Sequence, residues 1–275
     1  MDYKLAVFDL DGTLLNDQHE ISEKNKKALA RLKEEGCEVV LATGRSDLLI
    51  KEYIQELHLQ IPVISCNGAL IRNPMTKEIY KKEPMPADLV EKIIKICHEK
   101  KLIYMAYSSD FIYTIPNERL AYFEMRNQQL DAQCQIPFKV SRPVAEMTAD
   151  EIYKVLIIEN DQAHFQAIQR DFLSLEGLEV VQSSKGLLDL MAQGVSKKAG
   201  LAFLAGHFKI TMDQIVAFGD NYNDMEMLKA AGKGITTANA VDEIKAIADY
   251  ISLSNNESGV GHAIEQYLGI DLRID

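Results

Sequence analysis

Long uncharged apolar runs are absent from this sequence of 275 residues, and none approaches the roughly 20 residues that a membrane-spanning helix needs. The first residues, Met-Asp-Tyr-Lys, do not lead from a basic stretch into an apolar one, as a secretion signal does. These absences predict a protein that does not span a membrane and that resides in the cytoplasm.

Cysteine is scarce and tryptophan is missing altogether. The four cysteines, Cys37, Cys66, Cys97 and Cys134, show no C-x-x-C spacing, and two of them lie inside apolar runs. This pattern is typical of buried free thiols and does not indicate a disulfide framework or a zinc site. We therefore expect all four to be structural.

Positive charge is in short supply, with 30 Lys and Arg against 41 Asp and Glu and a formal net charge of −11. No stripe of Lys and Arg interleaved with aromatic residues appears, so nucleic acid is not an expected partner. Hydrophobic residues make up 47% of the chain. The length allows one large or two ordinary globular domains with a sizeable core.

Several motifs of common enzyme classes are also absent. The sequence contains no G-x-x-x-x-G-K-[ST], no G-x-G-x-x-G after a strand, no H-E-x-x-H and no G-x-S-x-G. These absences remove the main support for nucleotide-fuelled, dinucleotide-dependent, zinc and serine-hydrolase chemistry.

What is present at both ends of the chain is an alternation of short apolar runs and amphipathic segments. Tyr3–Leu10 is a β-rich run that ends in a tight turn. Ser22 is placed to cap the following helix, and Gly36 is placed to end it in the left-handed conformation. Further predicted strands are Val39–Ala42, Val63–Ser65 and Ile215–Phe218, and further predicted helices are Ser46–Leu57, Ala199–Leu204, Met225–Ala231 and Ala263–Leu268. The alternation predicts an α/β fold with a Rossmann-like parallel sheet and helices on both faces.

The pattern changes between about residues 84 and 187. There the adjacent β-rich runs Leu102–Tyr107 and Phe111–Ile115 predict an antiparallel pair flanked by helices. Because the first pattern resumes afterwards, we predict a core made of residues 1–83 and 188–275, and an inserted α+β cap domain at residues 84–187.

Two carboxylates stand directly after the first predicted strand, in the string Asp9-Leu10-Asp11-Gly12-Thr13. Asp and Gly are common in turns for conformational reasons, but ligands bind at this carboxyl edge of open parallel sheets. Asp9 has the chemistry of a nucleophile that attacks phosphorus and forms an aspartyl phosphate. Asp11 would protonate the leaving group and then deprotonate water. Thr13 is placed to hydrogen-bond to Asp9 and orient it.

A second acidic cluster follows the strand Ile215–Phe218, in the string Gly219-Asp220-Asn221-Tyr222-Asn223-Asp224. A capped helix start would use the same residue types. Because the ends of parallel strands meet at one edge, we expect these acids to lie beside Asp9 and Asp11 and to repel them. A hard divalent cation with oxygen ligands relieves such repulsion, and Mg²⁺ is the predicted cofactor.

Weaker signals come from three other segments. Ala42-Thr43-Gly44-Arg45 follows the second strand, so that the Thr43 hydroxyl and nearby N–H groups are available to a phosphoryl oxygen. A capped helix start explains that string equally well. Lys197 would supply positive charge to the phosphoryl group, and Asn67-Gly68 is compatible with either a turn or a ligand contact.

In chain order, these motifs resemble the four motifs of the haloacid dehalogenase superfamily, and the resemblance spans the whole chain: Asp9-x-Asp11-Gly12-Thr13, Ala42-Thr43-Gly44-Arg45, Lys197 and Gly219-Asp220-x-x-Asn223-Asp224. Asn67 and Lys197 are 130 positions apart, which places the cap between the second and third motifs, the C2-type arrangement. This placement, with Asn67-Gly68-Ala69 and Ser258-Gly259-Val260, resembles the Cof-type branch, notably the YidA-like sugar phosphatases.

The resemblance implies roles for individual residues. Asp9 and Asp220 would bind Mg²⁺ by side chains, and Asp11 by its backbone carbonyl. The phosphate ligands would be Leu10, Thr43, Gly44, Lys197 and Asn223, and the supporting residues Thr13, Arg45, Asn67, Asn221 and Asp224. The chain departs from the family pattern at Lys198, where glycine is common, and at Thr236–Ala240, where methionine is common. Whether Lys197 or Lys198 points inward is open at this point.

The prediction is a Mg²⁺-dependent phosphatase that hydrolyses small phosphorylated metabolites, with sugar phosphates favoured, through an aspartyl-phosphate intermediate. A phosphomutase with the same Asp pair is the nearest alternative. A phosphorylatable regulatory module is the alternative from another class, but Asp11 and the large insertion argue against it. A dehalogenase has no use for a leaving-group acid at Asp11. The sequence names neither the preferred ester nor the oligomeric state.

Overall fold

A computed structural model describes residues 3–140 and 147–273 of the chain. The strands are β1 (Leu5–Phe8), β2 (Glu38–Leu41), β3 (Val63–Ser65), β4 (Leu70–Arg72), β5 (Ile79–Lys82), β6 (Ile103–Tyr107), β7 (Ile112–Thr114), β8 (Phe138–Val140), β9 (Lys154–Ile158), β10 (Leu178–Ser184), β11 (Leu187–Ala192), β12 (Ile215–Phe218), β13 (Lys233–Thr236) and β14 (Tyr250–Ile251). The α-helices are α1 (Glu23–Glu34), α2 (Lys51–Glu56), α3 (Ala87–Lys100), α4 (Glu118–Asn127), α5 (Gln162–Leu173), α6 (Lys197–Phe208), α7 (Met225–Ala230), α8 (Asp242–Lys245) and α9 (Gly259–Gln266). Within these two ranges, no helix combines the length and the apolar composition that crossing a bilayer requires.

The first sheet has the strand order β14-β13-β12-β1-β2, and each neighbouring pair is parallel. Successive residues of β1 face opposite sides, as the pleat of a strand requires. Ala6 and Phe8 join an apolar cluster with α1 and α9, whereas Leu5 and Val7 join another with α6 and α7. The predicted parallel sheet with helices on both faces is confirmed.

The first helix begins and ends as predicted. Ser22 Oγ accepts a hydrogen bond from the backbone N–H of Asn25, which caps α1. Gly36 follows the helix with φ of +79°, the left-handed conformation that glycine adopts without steric cost.

Val63–Ser65 is a strand, but its pairing differs from the prediction. β3 pairs with β4 in the antiparallel direction and β4 pairs with β5, which gives a separate three-stranded sheet. A parallel bridge between Ala42 and Ile64 connects β3 to the first sheet. Cys66 and Asn67 both have positive φ and turn the chain back directly after β3. Such a short turn has no room for a crossover helix, so the next strand runs antiparallel.

The segment Ser46–Leu57, predicted as one helix, is divided. A 3₁₀ turn spans Asp47–Leu49, and α2 begins only after Ile50, whose φ of −123° and ψ of 10° are not helical. Asp47 is buried and accepts a hydrogen bond from Arg72 Nε at 2.5 Å. This contact orients the first turn toward β4, so that it does not continue the axis of α2.

The second sheet has the strand order β10-β11-β9-β6-β7-β8, and β6 and β7 form the predicted antiparallel pair. Helices α3 and α5 cover one face through a common apolar cluster. On the other face, Met105, Tyr107, Leu156 and Met191 share a cluster with residues of the first part of the chain, including Leu48. The second sheet therefore packs onto the core. β11 pairs within this sheet, and the division of the chain at residues 83/84 and 187/188 stays a prediction.

All four cysteines are buried and free, as expected for structural thiols. Burial raises the pKa of Cys37, Cys66 and Cys97 to about 12. Thiols with such high pKa values are poor nucleophiles at neutral pH.

Candidate active site

The ends of three neighbouring strands bring the predicted site residues together. β1 lies between β12 and β2, Asp9 directly follows β1, Asp220 follows β12 after Gly219, and Thr43 lies just beyond β2. Asp9 and Asp220 are only 5% and 9% exposed. Carboxylate oxygens of Asp9, Asp220 and Asp224 lie within 4.8 Å of one another. We call these three residues and Lys197 the acidic cluster.

Lys197 lies at the centre of the acidic cluster and is fully buried. Its Nζ donates hydrogen bonds to Asp9 Oδ1 and to Asp224 Oδ1, each at 2.6 Å. Lys197 is the first residue of α6, whose N-terminus therefore points at the strand ends. Lys198 is exposed, so Lys197 is the inward lysine.

Three carboxylates and one ammonium give the acidic cluster an excess of negative charge. Burial, and after it the charge of Asp224, raises the pKa of Asp9 well above its usual value, although Lys197 opposes this. Burial and Asp224 likewise raise the pKa of Asp220 to about 7. Burial lowers the pKa of Lys197, but the charges of Asp224 and Asp9 outweigh burial and raise it. A divalent cation would relieve this repulsion, and carboxylate oxygens are the donors that Mg²⁺ prefers.

The sequence predicted that Thr13 orients Asp9, but the hydroxyl of Thr13 has a different partner. Its hydroxyl donates to Asp220 Oδ1 at 2.8 Å, because the turn after β1 extends toward the neighbouring β12. Gly12 makes this close approach possible. It has φ of +78°, and a Cβ at that position would lie 2.3 Å from Asp220 Oδ2. Thr13 thus hydrogen-bonds to one oxygen of Asp220, and Gly12, which has no side chain, leaves space beside the other oxygen.

Asp11 lies outside the acidic cluster, and its side chain is 48% exposed. Arg45 Nε donates to Asp11 Oδ2 at 2.7 Å, and Arg45 Nη2 donates to Oδ1. Partial burial raises the pKa of Asp11, but the charge and hydrogen bonds of Arg45 outweigh it and hold the pKa below its usual value. His19 Nδ1 lies 3.3 Å from Arg45 Nη2. Asp11 is therefore ionised in this arrangement and can accept a proton, whereas donating one requires the Arg45 pair to rearrange.

The predicted phosphate ligands Thr43, Gly44 and Asn223 lie in the loops that follow β2 and β12. Thr43 is buried, and its Oγ1 accepts a hydrogen bond from the Arg45 N–H at 3.0 Å. Asn223 Nδ2 donates to Asn67 Oδ1 at 3.0 Å. Gly44 lies against the same side chain, since a Cβ there would be 3.1 Å from Asn67 Oδ1. Asn67 therefore joins the second and fourth motifs.

Two of the remaining predicted residues, Asp224 and Asn221, support the loop after β12. Asp224 Oδ2 accepts hydrogen bonds from the N–H groups of Asp220 and Asn221 at 3.0 and 3.1 Å. Asn221 Nδ2 donates to the carbonyl of Ser183 in β10 at 3.1 Å. Leu10, in the turn after β1, is fully buried. Asp224 thus uses one oxygen to hold Lys197 and the other to shape the loop.

A cavity of about 810 Å³ opens above the acidic cluster, between the two sheets. Its core wall includes Asp9, Asp11, Gly44, Arg45 and Asn223. The opposite wall, from the second sheet and α4, includes Tyr107, Arg119, Tyr122, Phe123, Lys154 and Asp189. This volume suits a small metabolite.

Lys154 and Asp189 were missed by the sequence prediction, as was His19. Lys154 Nζ donates to Asp189 Oδ1 at 2.9 Å and to the Gly44 carbonyl at 2.5 Å. Asn67 Nδ2 donates to Asp189 Oδ2 at 2.8 Å. The sequence did carry a signal for Lys154 and Asp189, because each is a single charge in an apolar run: Lys-Val-Leu-Ile-Ile for Lys154 and Leu-Leu-Asp-Leu-Met for Asp189. A charge in a buried strand needs a partner.

Comparison with known proteins agrees with this geometry. The sequence profile of the haloacid dehalogenase-like hydrolases matches residues 6–264. The phosphatase YwpJ of Bacillus subtilis (strain 168) is 31% identical over 96% of this chain and 100% of its own. The pyridoxal phosphate phosphatase YbhA of Escherichia coli (strain K12) is 28% identical over 98% of this chain and 100% of its own. The solved structure of the subclass IIB sugar phosphatase BT4131 has a TM-score of 0.81 at 25% identity, covering 98% of this chain and 100% of that one. The chain therefore belongs to the haloacid dehalogenase superfamily, in its Cof-type branch of phosphatases.

Proposed function

We propose that this protein is a Mg²⁺-dependent phosphatase that hydrolyses small phosphorylated metabolites, sugar phosphates among them, through an aspartyl phosphate on Asp9. One observation carries the proposal. Asp9 and Asp11 line one cavity, and behind Asp9 lie the buried Lys197 and Asp224 and the nearby carboxylate of Asp220. Nucleophile, acid–base residue and cation site thus lie together where a phosphate ester can enter.

The donor set fits Mg²⁺. Lys197 holds Asp9 Oδ1 and Thr13 holds Asp220 Oδ1, so the second oxygen of each carboxylate is available to a cation. The backbone carbonyl of Asp11 would complete the protein ligands. A bound Mg²⁺ supplies positive charge to the phosphoryl oxygens. Both oxygens of Asp224 are already engaged, so we assign it to holding Lys197 and the loop.

The phosphoryl group would be held by groups from three motifs. Thr43 offers a hydroxyl and Gly44 a backbone N–H, Asn223 offers a side-chain amide, and the Leu10 N–H lies in the turn after the nucleophile. Lys197 adds the buried positive charge. Charge on the transferring oxygens increases toward the transition state, and fixed donors in a buried site stabilise it there.

In the first step, the Asp9 carboxylate attacks phosphorus. A bond forms between an Asp9 oxygen and phosphorus, while the bond from phosphorus to the ester oxygen breaks. Asp11 gives a proton to the departing alkoxide. Because Arg45 holds Asp11 in its ionised form, substrate entry must displace this contact before Asp11 takes up the proton that it donates.

In the second step, Asp11 removes a proton from water, and the hydroxide attacks the phosphorus of the aspartyl phosphate. The bond between phosphorus and the Asp9 oxygen breaks, which releases inorganic phosphate and regenerates the carboxylate. The pair with Arg45 favours the ionised form that this step requires. One residue thus alternates between acid and base.

The cavity supports a small organic group on the ester. Its outer wall combines the aromatic residues Tyr107, Tyr122 and Phe123 with the cation Arg119. Flat aromatic faces and a guanidinium suit sugars and planar rings alike. Relatives with this fold are named for a sugar phosphate in one case and for pyridoxal phosphate in another. We place sugar phosphates first because Ser183 and Ser184 also line the cavity, and a serine hydroxyl can hydrogen-bond to a sugar hydroxyl.

A phosphate-release assay over a panel of sugar phosphates, pyridoxal phosphate and nucleotides tests the proposal. We expect turnover with Mg²⁺, no turnover in excess chelator, and recovery when Mg²⁺ is restored. Acid-quenched enzyme should carry phosphate on Asp9. Isomerised sugar phosphate without free phosphate would show a mutase instead, and activity in chelator would contradict the cation site.

A further inference from the structure

Two opposite charges lie side by side on the inner face of the second sheet. Lys154 is on β9 and Asp189 on the neighbouring β11, where Asp189 pairs in register with Leu156, two residues from Lys154. Both side chains therefore project from the same face. Lys154 is 4% exposed and Asp189 is fully buried, and Nζ lies 2.9 Å from Oδ1.

Both charges also reach out of their own sheet. Lys154 Nζ donates to the carbonyl of Gly44, in the second motif, at 2.5 Å. Asp189 Oδ2 accepts from Asn67 Nδ2 at 2.8 Å, and Asn67 Oδ1 accepts from Asn223 Nδ2 at 3.0 Å. One ion pair in the second sheet thus contacts two groups assigned to phosphate binding, Gly44 directly and Asn223 through Asn67.

Stability alone does not explain this pair. A buried ion pair gains little net free energy, because desolvation of the two charges offsets their attraction, and apolar residues of similar volume often serve as well. The neighbours Leu156 and Met191 on the same face are apolar. Lys154 and Asp189 differ from these apolar neighbours because they hydrogen-bond to groups of the core.

We propose that Lys154 and Asp189 are a positioning pair, through which the second sheet fixes the orientation of the phosphate-binding groups Gly44 and Asn223. The proposal rests on the proposed function, because it takes the phosphate-binding roles of those two residues from it. Lys154 and Asp189 act through other residues and do not need to touch the phosphate.

The geometry explains how the pair would act. Lys154 holds the carbonyl of Gly44, and Thr43 Oγ1 holds the N–H of the same peptide group, that of Arg45. This peptide is fixed on both sides, which restricts the backbone at Gly44 and thereby the direction of the Gly44 N–H in the preceding peptide group. Asp189 fixes the amide plane of Asn67, and this sets which atom Asn67 presents to Asn223.

The decisive test is a double variant, Lys154→Met with Asp189→Leu, which removes both charges and keeps the volume. We expect its melting temperature to stay near that of wild type. We expect its dissociation constant for inorganic phosphate, measured calorimetrically with Mg²⁺ present, to rise about 10- to 100-fold, the usual cost of misplacing a binding group. KM for p-nitrophenyl phosphate should rise in parallel. A stable double variant that binds phosphate as wild type does would overturn the proposal.

A matched control is the buried pair Arg72 and Asp47, which also joins core and second sheet because Arg72 Nη2 donates to the Ser109 carbonyl at 2.5 Å. The double variant Arg72→Met with Asp47→Leu should keep phosphate affinity within about twofold of wild type. An equal loss of affinity in this control would show that any pair between the sheets has the same effect, and would overturn the specific role.

Single variants keep the proposal testable if the double variant does not fold. Lys154→Arg retains a donor for the Gly44 carbonyl and should bind phosphate more tightly than Lys154→Met. Equal affinities of these two variants would overturn the proposal. Failure of the proposed function has a different signature, since wild-type protein would then neither bind phosphate with Mg²⁺ nor release it from any ester.

Discussion

Two buried groups of charges lie beside the cavity, and they differ in the balance of positive and negative charge. In the acidic cluster, three carboxylates lie close together with a single ammonium, that of Lys197, which bonds to Asp9 and Asp224. In the second sheet, one carboxylate meets one ammonium. An unbalanced cluster is electrostatically incomplete and favours binding of a further cation, whereas a balanced pair is complete and holds only its neighbours. This difference matches the roles that we propose, chemistry for the acidic cluster and positioning for the pair Lys154 and Asp189.

The two groups also differ in where the chain supplies them. The carboxylates of the acidic cluster come from turns at strand ends, where side chains are free to point along the strands into a cavity. Lys154 and Asp189 come from strands with partners on both sides. Side chains within such strands are fixed by the pleat, which suits a positioning role.

The largest effect should follow from removing the nucleophile. Asp9→Asn keeps the shape of the side chain but its amide cannot attack phosphorus, so we expect phosphate release to fall by about 10⁴-fold or more. The substitution also removes one negative charge from a crowded cluster. We therefore expect the melting temperature to be unchanged or higher, measured by circular dichroism. Normal turnover in folded Asp9→Asn protein would exclude the covalent mechanism.

Next in size is the effect of Asp11→Asn, which retains the backbone carbonyl but removes the acid and base. Esters with poor leaving groups, such as sugar phosphates, should lose about 10²- to 10⁴-fold in rate. p-Nitrophenyl phosphate needs little protonation, so its first step should be affected much less. Because the second step still needs a base, a burst of nitrophenol and accumulation of phosphorylated Asp9 are expected in rapid-quench measurements.

Asp17→Asn is the matched control for Asp11→Asn. Asp17 lines the same cavity, but its carboxylate is bound to Asn255 and Asn256, away from the acidic cluster. The rates of the Asp17→Asn variant should stay near those of wild type with both classes of ester. Equal losses for good and poor leaving groups in Asp11→Asn, without a burst, would assign the acid–base role elsewhere.

Mg²⁺ should distinguish the unbalanced cluster from the balanced pair. Chelation should lower activity by about 10²-fold or more, since neutralising the phosphoryl oxygens contributes several kcal/mol. A cation at 100 times its dissociation constant stabilises the folded state by about 2.7 kcal/mol, which corresponds to a melting shift of a few degrees. We expect this shift in wild type and in the Lys154→Met, Asp189→Leu variant, but not in Asp220→Asn. A shift that persists in Asp220→Asn would place the cation elsewhere.

The sequence predicted the core of the molecule well because that part depends on local patterns. Apolar runs that end in Asp-Gly or Gly-Asp turns located β1 and β12, and the shared edge of parallel strands brought Asp9 near Asp220. Ser22 and Gly36 marked the ends of α1 through their intrinsic preferences. Such signals need no knowledge of distant partners.

The features that escaped prediction depend on contacts between distant segments. Thr13 was assigned to its neighbour in sequence, but its partner is Asp220, 207 positions away. The break at Ile50 follows from the contact of Asp47 with Arg72 on β4. The roles of Lys154 and Asp189 require the pairing of β9 with β11 and the docking of the second sheet. Each charge indicated a buried partner, but no local pattern identified it.

The smallest expected effect concerns Arg119. Substituting it tests whether the balance of charge around the cavity also governs which substrates bind. Three other cations that line the cavity are paired with carboxylates: Arg45 with Asp11, Arg126 with Glu52 and Lys154 with Asp189. Arg119 has no ion pair within residues 3–140 and 147–273, and its guanidinium lies 5.8 Å from the centre of the Phe123 ring. By the same reasoning as for the acidic cluster, an unpaired charge favours a ligand of opposite sign. Substrates with a second anionic group should therefore gain from Arg119.

Two substrates that differ by one anionic group, such as fructose 6-phosphate and fructose 1,6-bisphosphate, measure this gain. A hydrogen bond to a charged group contributes about 1.5 kcal/mol or more, so Arg119→Gln should raise KM for the bisphosphate about tenfold relative to the monophosphate. Arg119→Lys keeps the charge but loses the planar fork, and should show a smaller increase. Arg126→Gln, which removes a cation already paired with Glu52, is the matched control and should leave the ratio of the two KM values unchanged. If Arg119→Gln changes both KM values equally, Arg119 shapes the wall of the cavity and does not select for a second negative charge.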